Sequence, residues 1–269
     1  MQKSIRYQGI PVAYEVSGSG LPVLWIHGFT EDRLIWHKVL RDVSGKYSFI
    51  IPDLPGSGQS PVNNKLHSIA DFALVLKSIL EEERIDQIVL IGHSMGGYIS
   101  LSFAEQFPSS LKGLALFHST AFADSPEKKE TRKKSIDFIR KHGTAAYVEQ
   151  SLPGLYSDEF KNHHPEKIQE QIIRYRDLSS DTLVQYLQAM MDRTEKTGLL
   201  KTIQVPVLFI MGEEDKAAPV KDVLQQCYLP RVSDIHILPG VAHMGMMENA
   251  RVCAGFISQF LETIALFAS

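Results

Sequence analysis

The chain alternates between short apolar runs and segments in which apolar residues recur at helical spacing. Two segments near the start alternate polar and apolar residues, and they predict an antiparallel hairpin. Most of the later runs are continuously apolar, which is typical of strands that are covered on both faces of a sheet. The predicted strands are residues 4–7, 12–16, 21–26, 47–51, 88–91, 114–117, 205–211 and 233–238.

Segments with helical periodicity follow most of these strands. They are residues 36–43, 69–80, 94–107, 223–227 and about 248–267. An alternation of strands and helices predicts a mostly parallel sheet with helices on both faces. Sites in such sheets lie at the carboxyl ends of the strands, so polar residues directly after a strand are the first candidates for chemistry.

The stretch 121–200 departs from this alternation, because charged helical segments replace the strand-like runs. The predicted helices are residues 127–141, 144–152, 165–178 and 180–193. The stretch leaves and re-enters the sheet at its carboxyl end, so we expect it to lie over that end as a cap. The predicted division is a core of residues 1–120 and 201–269 and a helical cap of residues 121–200.

Composition narrows the class of protein. The chain has 269 residues, and its hydrophobic fraction of 44% and charged fraction of 22% are ordinary for a globular protein. A net charge of -3 predicts no nucleic-acid partner. No apolar run approaches the roughly 18 residues of a membrane span, and the first residues show no secretory signal. We therefore expect a cytoplasmic protein without membrane contact.

The run Gly92-His93-Ser94-Met95-Gly96 stands between a predicted strand and a predicted helix. A sharp strand-to-helix turn needs small residues around its tip, because a side chain at 92 or 96 would clash with the neighbouring backbone. Such a turn presents Ser94 at the tip, and the following helix directs free N–H groups toward an oxyanion formed there. The motif also occurs in ordinary Gly-rich turns, so the other residues of a hydrolytic site decide its meaning.

Candidate partners for Ser94 follow later in the chain. His243 follows the last predicted strand after a short Gly-containing turn, and Glu213, Glu214 and Asp215 come after the strand before it. A serine hydroxyl is a weak nucleophile near neutral pH and needs a base within hydrogen-bond reach. An imidazole, with an ordinary pKa of about 6.5, can take that proton, and a carboxylate fixes the tautomer of the imidazole.

Five sequence blocks stand in the order found in the α/β-hydrolase family, which the chain resembles along essentially its whole length. The blocks are His27-Gly28-Phe29, Asp53-Leu54-Pro55-Gly56, Gly92-His93-Ser94-Met95-Gly96-Gly97, Gly212-x-x-Asp215-x-x-x-Pro219 and Gly240-x-x-His243. The resemblance implies an α/β fold with a mostly parallel eight-stranded sheet, flanking helices and a helical cap insertion. The segments HGFT, DLPGSGQS and GHSMGG are also similar to those of the menaquinone-pathway synthase that eliminates pyruvate.

The resemblance also implies roles for individual residues. Ser94 is the expected nucleophile and His243 the expected base. Asp215 is the expected acid, because the family spacing before Pro219 selects it among the three neighbouring carboxylates. Some relatives carry the acid after the sixth strand, and in this chain that residue would be Asp124.

Two backbone N–H groups, those of Phe29 and Met95, are the oxyanion hole that the resemblance implies. His27 and His93 lie beside motif glycines, and we expect them to brace their loops. Possible pocket residues are His118, Tyr147 and Met190. A structural hydrogen bond is the alternative for the first of these, and core packing is the alternative for the last.

No cofactor and no metal ion are expected. His163 and His164 are adjacent and do not share a helix face, so they do not predict a metal site. Cys227 and Cys253 each lie in a predicted helix, which favours two buried thiols over a disulfide framework.

These features together favour a serine hydrolase that cleaves small or medium carboxylic esters through an acyl-enzyme. The alternatives that use the same triad are a C–C bond hydrolase, a lactonase and the pyruvate-eliminating synthase. A carboxylate nucleophile is missing at position 94, which disfavours dehalogenase and epoxide hydrolase chemistry. A receptor-like binding module is disfavoured because the serine, acid and histidine are all present. The expected partner is a small molecule, and an apolar cap surface would allow a homodimer.

Overall fold

The computed structural model describes residues 1–267, and at its centre is a sheet of eight strands. All eight predicted strands are present, with ends that differ from the prediction by a few residues. They are β1 (Gln2–Tyr7), β2 (Ile10–Gly18), β3 (Leu21–Ile26), β4 (Tyr47–Pro52), β5 (Ile88–His93), β6 (Leu111–Phe117), β7 (Val207–Gly212) and β8 (Ser233–Leu238).

The order of the strands across the sheet is β1-β2-β4-β3-β5-β6-β7-β8. The pairs β1–β2 and β2–β4 are antiparallel, and all later pairs are parallel. The register aligns Ile26 with Gly92, and it aligns Phe117 with both His93 and Ile210. The carboxyl ends of β3, β5, β6 and β7 therefore meet at one edge, and the predicted eight-stranded, mostly parallel sheet is confirmed.

Helices cover both faces of the sheet. They are α1 (His37–Asp42), α2 (Ile69–Glu82), α3 (Met95–Gln106), α4 (Pro126–Ser151), α5 (Asp158–His163), α6 (Pro165–Tyr175), α7 (Ser180–Asp192), α8 (Thr197–Thr202), α9 (Val220–Cys227), α10 (Gly245–Glu248) and α11 (Ala250–Phe267). α2 begins where it does because Ser68 and Asp71 form a reciprocal capping box at its first turn.

Strand β5 shows why the core has two halves. Its successive side chains point to opposite faces, so Ile88 and Leu90 pack in one hydrophobic cluster and Val89 and Ile91 in the other. All four side chains are completely buried. Each contributes on the order of 2 kcal/mol of hydrophobic stabilisation, which fixes the strand that carries the candidate nucleophile.

The chain between β6 and β7 forms helices α4 to α8, and it contains no strand among the described residues. α4 bends at Gly143, whose backbone (φ 82°, ψ 170°) is not helical, and this agrees with the predicted break between 141 and 144. α5 and α8 are additional short helices that the periodicity did not predict. The division into core and cap remains a prediction, and residues 268–269 of the predicted core lie outside the described part.

The closing helix is shorter than predicted. The expected helix from about 248 is interrupted at Asn249 (φ −146°, ψ 57°), so that α10 and α11 are separate helices. Cys227 and Cys253 are free and buried. No helix within residues 1–267 has the length and apolar composition needed to cross a membrane.

Candidate active site

Ser94 lies at the tip of a sharp turn between β5 and α3. Its backbone (φ 49°, ψ −113°) is in a region that residues other than glycine rarely adopt. The turn depends on its neighbouring glycines, because a Cβ at Gly96 would come within 2.7 Å of the His27 carbonyl oxygen. A Cβ at Gly92 would come within 2.5 Å of Ser100 Oγ. The turn forms at this point of the sequence because only glycine fits at positions 92 and 96, two residues before and two residues after the serine.

Hydrogen bonds of its N–H and carbonyl groups hold the strained serine. Its N–H donates to the carbonyl of Phe117 at 3.0 Å, and its own carbonyl accepts from the Ser119 hydroxyl at 2.7 Å. The N–H of Gly97 donates to the same carbonyl at 2.9 Å. Surrounding structure must over-determine a strained backbone for it to persist, and such residues cluster at functional sites.

The predicted acid and base are in direct contact. His243 Nδ1 lies 2.8 Å from Asp215 Oδ2, and the Asp215 side chain is completely buried. The other carboxylate oxygen, Oδ1, accepts the N–H groups of Ala217 and Ala218 at 2.8 and 2.9 Å. This arrangement fixes the orientation of the carboxylate and directs the Nδ1–H of the imidazole toward it.

Burial and charge act in opposite directions on this pair. Burial would raise the pKa of Asp215, but attraction to His243 and hydrogen bonds from His118 and His243 hold it well below its usual range. Burial would lower the pKa of His243, but attraction to Asp215 and the hydrogen bond with it raise the pKa above 6.5. The pair therefore favours an ionised acid beside a base with increased proton affinity.

His118 occupies an unexpected position. It follows β6, is completely buried, and its Nδ1 lies 3.1 Å from the same Asp215 oxygen that contacts His243. Burial lowers the pKa of His118 to about 4, although Asp215 opposes this shift. The residue does not line the cavity beside Ser94, so the interpretation of His118 as a pocket residue is wrong. The alternative of a structural hydrogen bond is what the structure shows.

His118, Asp215 and His243 place atoms that could bind a metal ion within 4.8 Å of one another. The distances from the carboxylate oxygen to the two Nδ1 atoms are those of hydrogen bonds, each with a proton between its partners. The carboxylate of Asp215 and the Nδ1 atoms of His118 and His243 thus serve one another as hydrogen-bond partners.

A cavity of about 290 Å³ lies beside the turn. Ser94 and His243 line it from the sheet, and Tyr147 and Met190 line it from the helical insertion. The structure thus places two of the three predicted pocket residues at the cavity. No hydrogen bond joins the Ser94 hydroxyl to His243 within residues 1–267, and such catalytic bonds often tighten only when substrate is bound.

The two predicted oxyanion donors are available. The N–H groups of Phe29 and Met95 have no hydrogen-bond partner among residues 1–267. Met95 is the first residue of α3, where N–H groups lack partners within the helix. Phe29 lines the same cavity as Ser94. Both are backbone groups, one before and one after Ser94 in the sequence, at the positions that the resemblance implies.

Glu31 also borders the cavity, although the sequence motifs did not indicate it as a site residue. Its carboxylate lies 3.0 Å from His93 Nδ1 and accepts the N–H of Gly28 at 2.5 Å. The other ring nitrogen of His93 lies 3.0 Å from the carbonyl oxygen of His243. Burial would raise the pKa of Glu31, but His93 lowers it. Glu31 and His93 thus connect the oxyanion loop to the loop of the base, and an acid two residues after the first block was the available signal.

Positive side chains form one wall of the cavity. Lys128 and Arg132 of α4 line it together with Tyr98. Arg132 Nε donates to Asp124 at 2.6 Å, and its terminal amino groups have no hydrogen bond within the described chain. Burial would raise the pKa of Tyr98, but attraction to Arg193, Lys128 and Arg132 lowers it. This wall was not predictable from the sequence, because Lys128 and Arg132 belong to a basic run that is typical of a solvated helix face.

The alternative acid, Asp124, is not beside the base. Its carboxylate forms ion pairs with Arg132 at 2.6 Å and with Arg193 at 2.8 Å. Glu213 accepts the N–H of Gly240 and is exposed, so it does not compete with Asp215 either.

His27 braces two loops, as expected from the sequence. The N–H of Leu54 donates to its Nε2 at 3.0 Å, and its Nδ1 lies 2.9 Å from the carbonyl oxygen of Gly28. The imidazole thereby joins the loop after β4 to the loop after β3, which carries Phe29.

Comparisons with known proteins agree with this geometry. The profile of the alpha/beta hydrolase fold matches residues 22–250. An uncharacterized protein of Mycobacterium tuberculosis is 34% identical over 104 residues, which are 39% of this chain and 30% of that protein. The chain thus spans less than a third of the length of that relative.

Two relatives match along their whole length. A Bacillus subtilis protein provisionally named 2-succinyl-6-hydroxy-2,4-cyclohexadiene-1-carboxylate synthase is 28% identical, over 97% of this chain and 96% of its own. A solved thermophilic esterase from Thermogutta terrifontis, with malate bound, is 28% identical with a TM-score of 0.91, over 98% of this chain and 99% of the esterase. Since the profile also covers most of the chain, the chain belongs to the α/β-hydrolase family.

Proposed function

We propose that the protein is a serine hydrolase that cleaves carboxylic esters with Ser94 as nucleophile, His243 as base and Asp215 as acid. One observation carries the proposal: His243 lies 2.8 Å from Asp215 and borders the cavity into which the strained turn presents Ser94. The esterase from Thermogutta terrifontis, which matches the chain over nearly its whole length, supports it.

The reaction follows from the position of each group. His243 Nε2 takes the proton of the Ser94 hydroxyl while Oγ bonds to the carbonyl carbon of the ester. The N–H groups of Phe29 and Met95 donate to the negative oxygen of the tetrahedral intermediate. His243 then gives the proton to the departing alcohol, which leaves the acyl group on Ser94. A water molecule, deprotonated by His243, then attacks the acyl carbon. His243 returns this proton to Ser94 Oγ as the acyl–oxygen bond breaks, which releases the carboxylic acid and restores the serine hydroxyl.

The cavity suggests the class of substrate. About 290 Å³ suits a small or medium molecule rather than a polymer. Lys128 and Arg132 favour a substrate that carries a carboxylate in addition to the ester, because a guanidinium can bind a carboxylate through two parallel hydrogen bonds. The malate bound to the Thermogutta terrifontis esterase is a dicarboxylate and shows that a solved relative binds a molecule with carboxylate groups.

Hydrolysis of p-nitrophenyl esters of graded acyl length tests the proposal. We expect turnover by the wild type that is lost in Ser94→Ala, with an unchanged rate in the control Ser102→Ala. Ser102 lies on the same helix, α3, but does not border the cavity. A folded wild-type protein without turnover at any acyl length, or a Ser94→Ala variant that retains full activity, would contradict the ester-hydrolase proposal.

A synthase that eliminates pyruvate is the second candidate. The full-length similarity to the Bacillus subtilis synthase and the positive wall of the cavity favour it. In this reaction the base formed by Ser94 and His243 would remove a proton from the substrate instead of adding Ser94 to a carbonyl. Incubation with the substrate of that synthase distinguishes the candidates. A synthase would release pyruvate, which lactate dehydrogenase detects, whereas ester hydrolysis yields an alcohol and an acid.

A further inference from the structure

Two imidazoles share one oxygen of the proposed catalytic acid. Asp215 Oδ2 lies 2.8 Å from His243 Nδ1 and 3.1 Å from His118 Nδ1. The hydrolytic reaction described above uses only His243. His118 is completely buried and borders neither Ser94 nor the cavity, so its contact with the carboxylate requires a separate explanation.

The surroundings of His118 determine its protonation state. Its Nδ1 faces an ionised carboxylate, which only accepts, so Nδ1 carries the hydrogen and donates it. Its Nε2 is buried and has no hydrogen-bond partner among the described residues. A second hydrogen on Nε2 would be a buried donor without an acceptor, so the imidazole is neutral. His118 therefore adds a hydrogen bond to Asp215 without adding a charge.

The backbone and its neighbours are built to present this donor. His118 has a positive φ of 48°, and its N–H donates to the carbonyl of Ile210 on β7 at 2.7 Å. This bond joins the ends of β6 and β7, and β7 leads into Asp215. Space for the ring depends on Gly245, because a Cβ there would come within 2.5 Å of His118 Nε2.

We propose that His118 is a positioning residue of the hydrolytic site, which holds Asp215 through a second imidazole hydrogen bond and moderates how strongly that carboxylate binds the proton of His243. The proposal rests on the proposed function of the Ser94, His243 and Asp215 triad. A carboxylate oxygen that serves two donors is a weaker acceptor for each of them, so His118 limits the proton affinity of His243.

Loss of the His118 hydrogen bond should raise the pKa of His243. Without the His118 donor, Asp215 Oδ2 has His243 as its single imidazole partner in a dry environment. The carboxylate then attracts the proton of His243 more strongly, and the pKa of His243 rises. A base that holds its proton more tightly is neutral over a narrower pH range and returns the proton to the leaving alcohol less readily.

Other charged groups around these rings are few. His118 faces Asp215, with His243 and His93 at ring-centroid distances of 5.8 and 6.1 Å. Glu31 and Lys128 also act on His243, in opposite directions. The variants His118→Asn and His118→Gly leave all of these other groups in place, so a change in the titration of His243 in them reports on His118.

Two substitutions separate positioning from simple space filling. In His118→Asn the side-chain amide nitrogen takes the place of Nδ1 and keeps the donor, and asparagine tolerates a positive φ. In His118→Gly the backbone conformation is also tolerated, but the donor is lost. Thermal unfolding shows whether each variant folds, and the asparagine variant keeps the proposal testable if the glycine variant does not.

The pH dependence of kcat/KM for a p-nitrophenyl ester is the first measurement. We expect His118→Gly to raise the midpoint of the acid limb by about 1 pH unit and to lower kcat about tenfold, because a hydrogen bond to a charged group is lost. His118→Asn should keep the wild-type midpoint. An unchanged midpoint in His118→Gly, or equal shifts in both variants, would overturn the proposal.

NMR titration of His243 in protein with isotope-labelled histidine is the second measurement, and it needs no substrate. We expect the pKa of His243 to be highest in His118→Gly and to be equal in wild type and His118→Asn. If the wild type hydrolyses no ester, the proposed function fails, while this titration still decides whether His118 controls the proton of His243. Equal pKa values of His243 in all three proteins would refute the positioning role.

Discussion

At the scale of single residues, the Asp215 carboxylate is completely buried and yet accepts four hydrogen bonds, two from backbone N–H groups and two from imidazoles. A buried charge is stable only when such partners replace water. Because these partners favour the ionised form, the carboxylate keeps its charge and stabilises the protonated form of His243. The pH dependence of any reaction at Ser94 therefore depends on this pair.

The acid limb of the pH profile follows from His243. Catalysis requires the neutral imidazole, and the pKa of His243 is raised above 6.5. We expect kcat/KM to fall as the pH decreases, with a midpoint above pH 6.5, measured on a neutral ester so that substrate ionisation plays no part. A midpoint at or below 6.5 would contradict the direction of the shift.

Asp215→Asn is the matched control for this prediction. The amide removes the negative charge at the same position, so the midpoint should move downward. The loss of turnover should reach about 10⁴-fold, as is known for the corresponding change in serine proteases.

The contact between Asp215 and His243 was predictable from the sequence, but the second histidine at Asp215 was not. Ser94, Asp215 and His243 each belong to a motif block with fixed spacing, and the structure places Asp215 against His243. The contact of His118 with Asp215 depends on the register between β6 and β7, where Phe117 pairs with Ile210. No local pattern encodes that register, so His118 could be placed at the end of a strand but not beside the acid.

At the scale of elements, the bent helix α4 carries the charge of the cavity. Its first arm contributes Lys128 and Arg132, and its second arm, after Gly143, contributes Tyr147. Asp124 neutralises only part of the charge, because it also forms an ion pair with Arg193. One helix thus supplies both a cationic and an aromatic part of the wall that faces the nucleophile.

Removal of the Arg132 charge should change selectivity more than general activity. For Arg132→Gln, we expect kcat/KM for the monomethyl ester of a dicarboxylic acid to fall about tenfold or more, because a hydrogen bond to a charged group is lost. The rate for the uncharged dimethyl ester should change little. Steady-state kinetics with both esters measure the ratio, and unfolding curves show whether the fold persists.

Lys133→Met is the control for that variant. Lys133 lies on the same helix, its side chain is 64% exposed, and it does not border the cavity. The substitution Lys133→Met should leave the ratio of kcat/KM for the monomethyl and dimethyl esters unchanged. If kcat/KM for the two esters decreased equally in Arg132→Gln, the result would argue for a structural role of the arginine and against binding of a carboxylate.

Element boundaries followed from local signals where these were strong. The break in α4 was predictable because Gly143 interrupts the helical spacing. The short helix α5 was not, although Ser157 caps its first turn by accepting the N–H of Phe160. The separation of α10 from α11 was missed because the apolar spacing continues across Asn249 while its backbone does not.

At the scale of the whole molecule, the parallel sheet brings side chains that are far apart in sequence to one edge. Ser94, His118 and Asp215 follow three neighbouring strands, β5, β6 and β7, and His243 follows the edge strand β8. The same arrangement buries a titratable ring in the centre of the fold. Stability should therefore depend on pH through groups of the site.

His118 should make the native state sensitive to acid. Its pKa is lowered to about 4 in the folded chain, against an ordinary value of 6.5, so only the unfolded chain binds a proton between these values. The free energy of unfolding should therefore fall as the pH decreases from 6.5 to 4, by up to about 3 kcal/mol from this group. Below pH 4 its contribution should stay constant.

Urea unfolding of wild type and His118→Asn over this range measures the effect. Asparagine does not titrate, so the difference between the two proteins should shift steadily in favour of the variant as the pH falls from 6.5 to 4. Parallel curves would show that His118 does not contribute to the acid sensitivity.

The overall fold was predictable because the pattern repeats. Eight strand-like runs with helices between them specify a parallel sheet, and runs such as 88–91, with all side chains buried, specify that both faces are covered. The packing of the helices between β6 and β7 was not predictable, because some of their polar side chains face solvent and others line the cavity. For this reason Arg132 looked like a surface residue.

The shared carboxylate of Asp215 also bears on how such sites change during evolution. Position 118 follows β6 directly and already contacts the acid that serves His243. Side chains from the end of β6 and from the loop after β8 therefore meet at one carboxylate oxygen of the loop after β7. A substitution at position 118 acts first on the acid and only through it on His243. The end of β6 is thus a position where the strength of the base can be adjusted without a change in Ser94, His243 or Asp215 themselves.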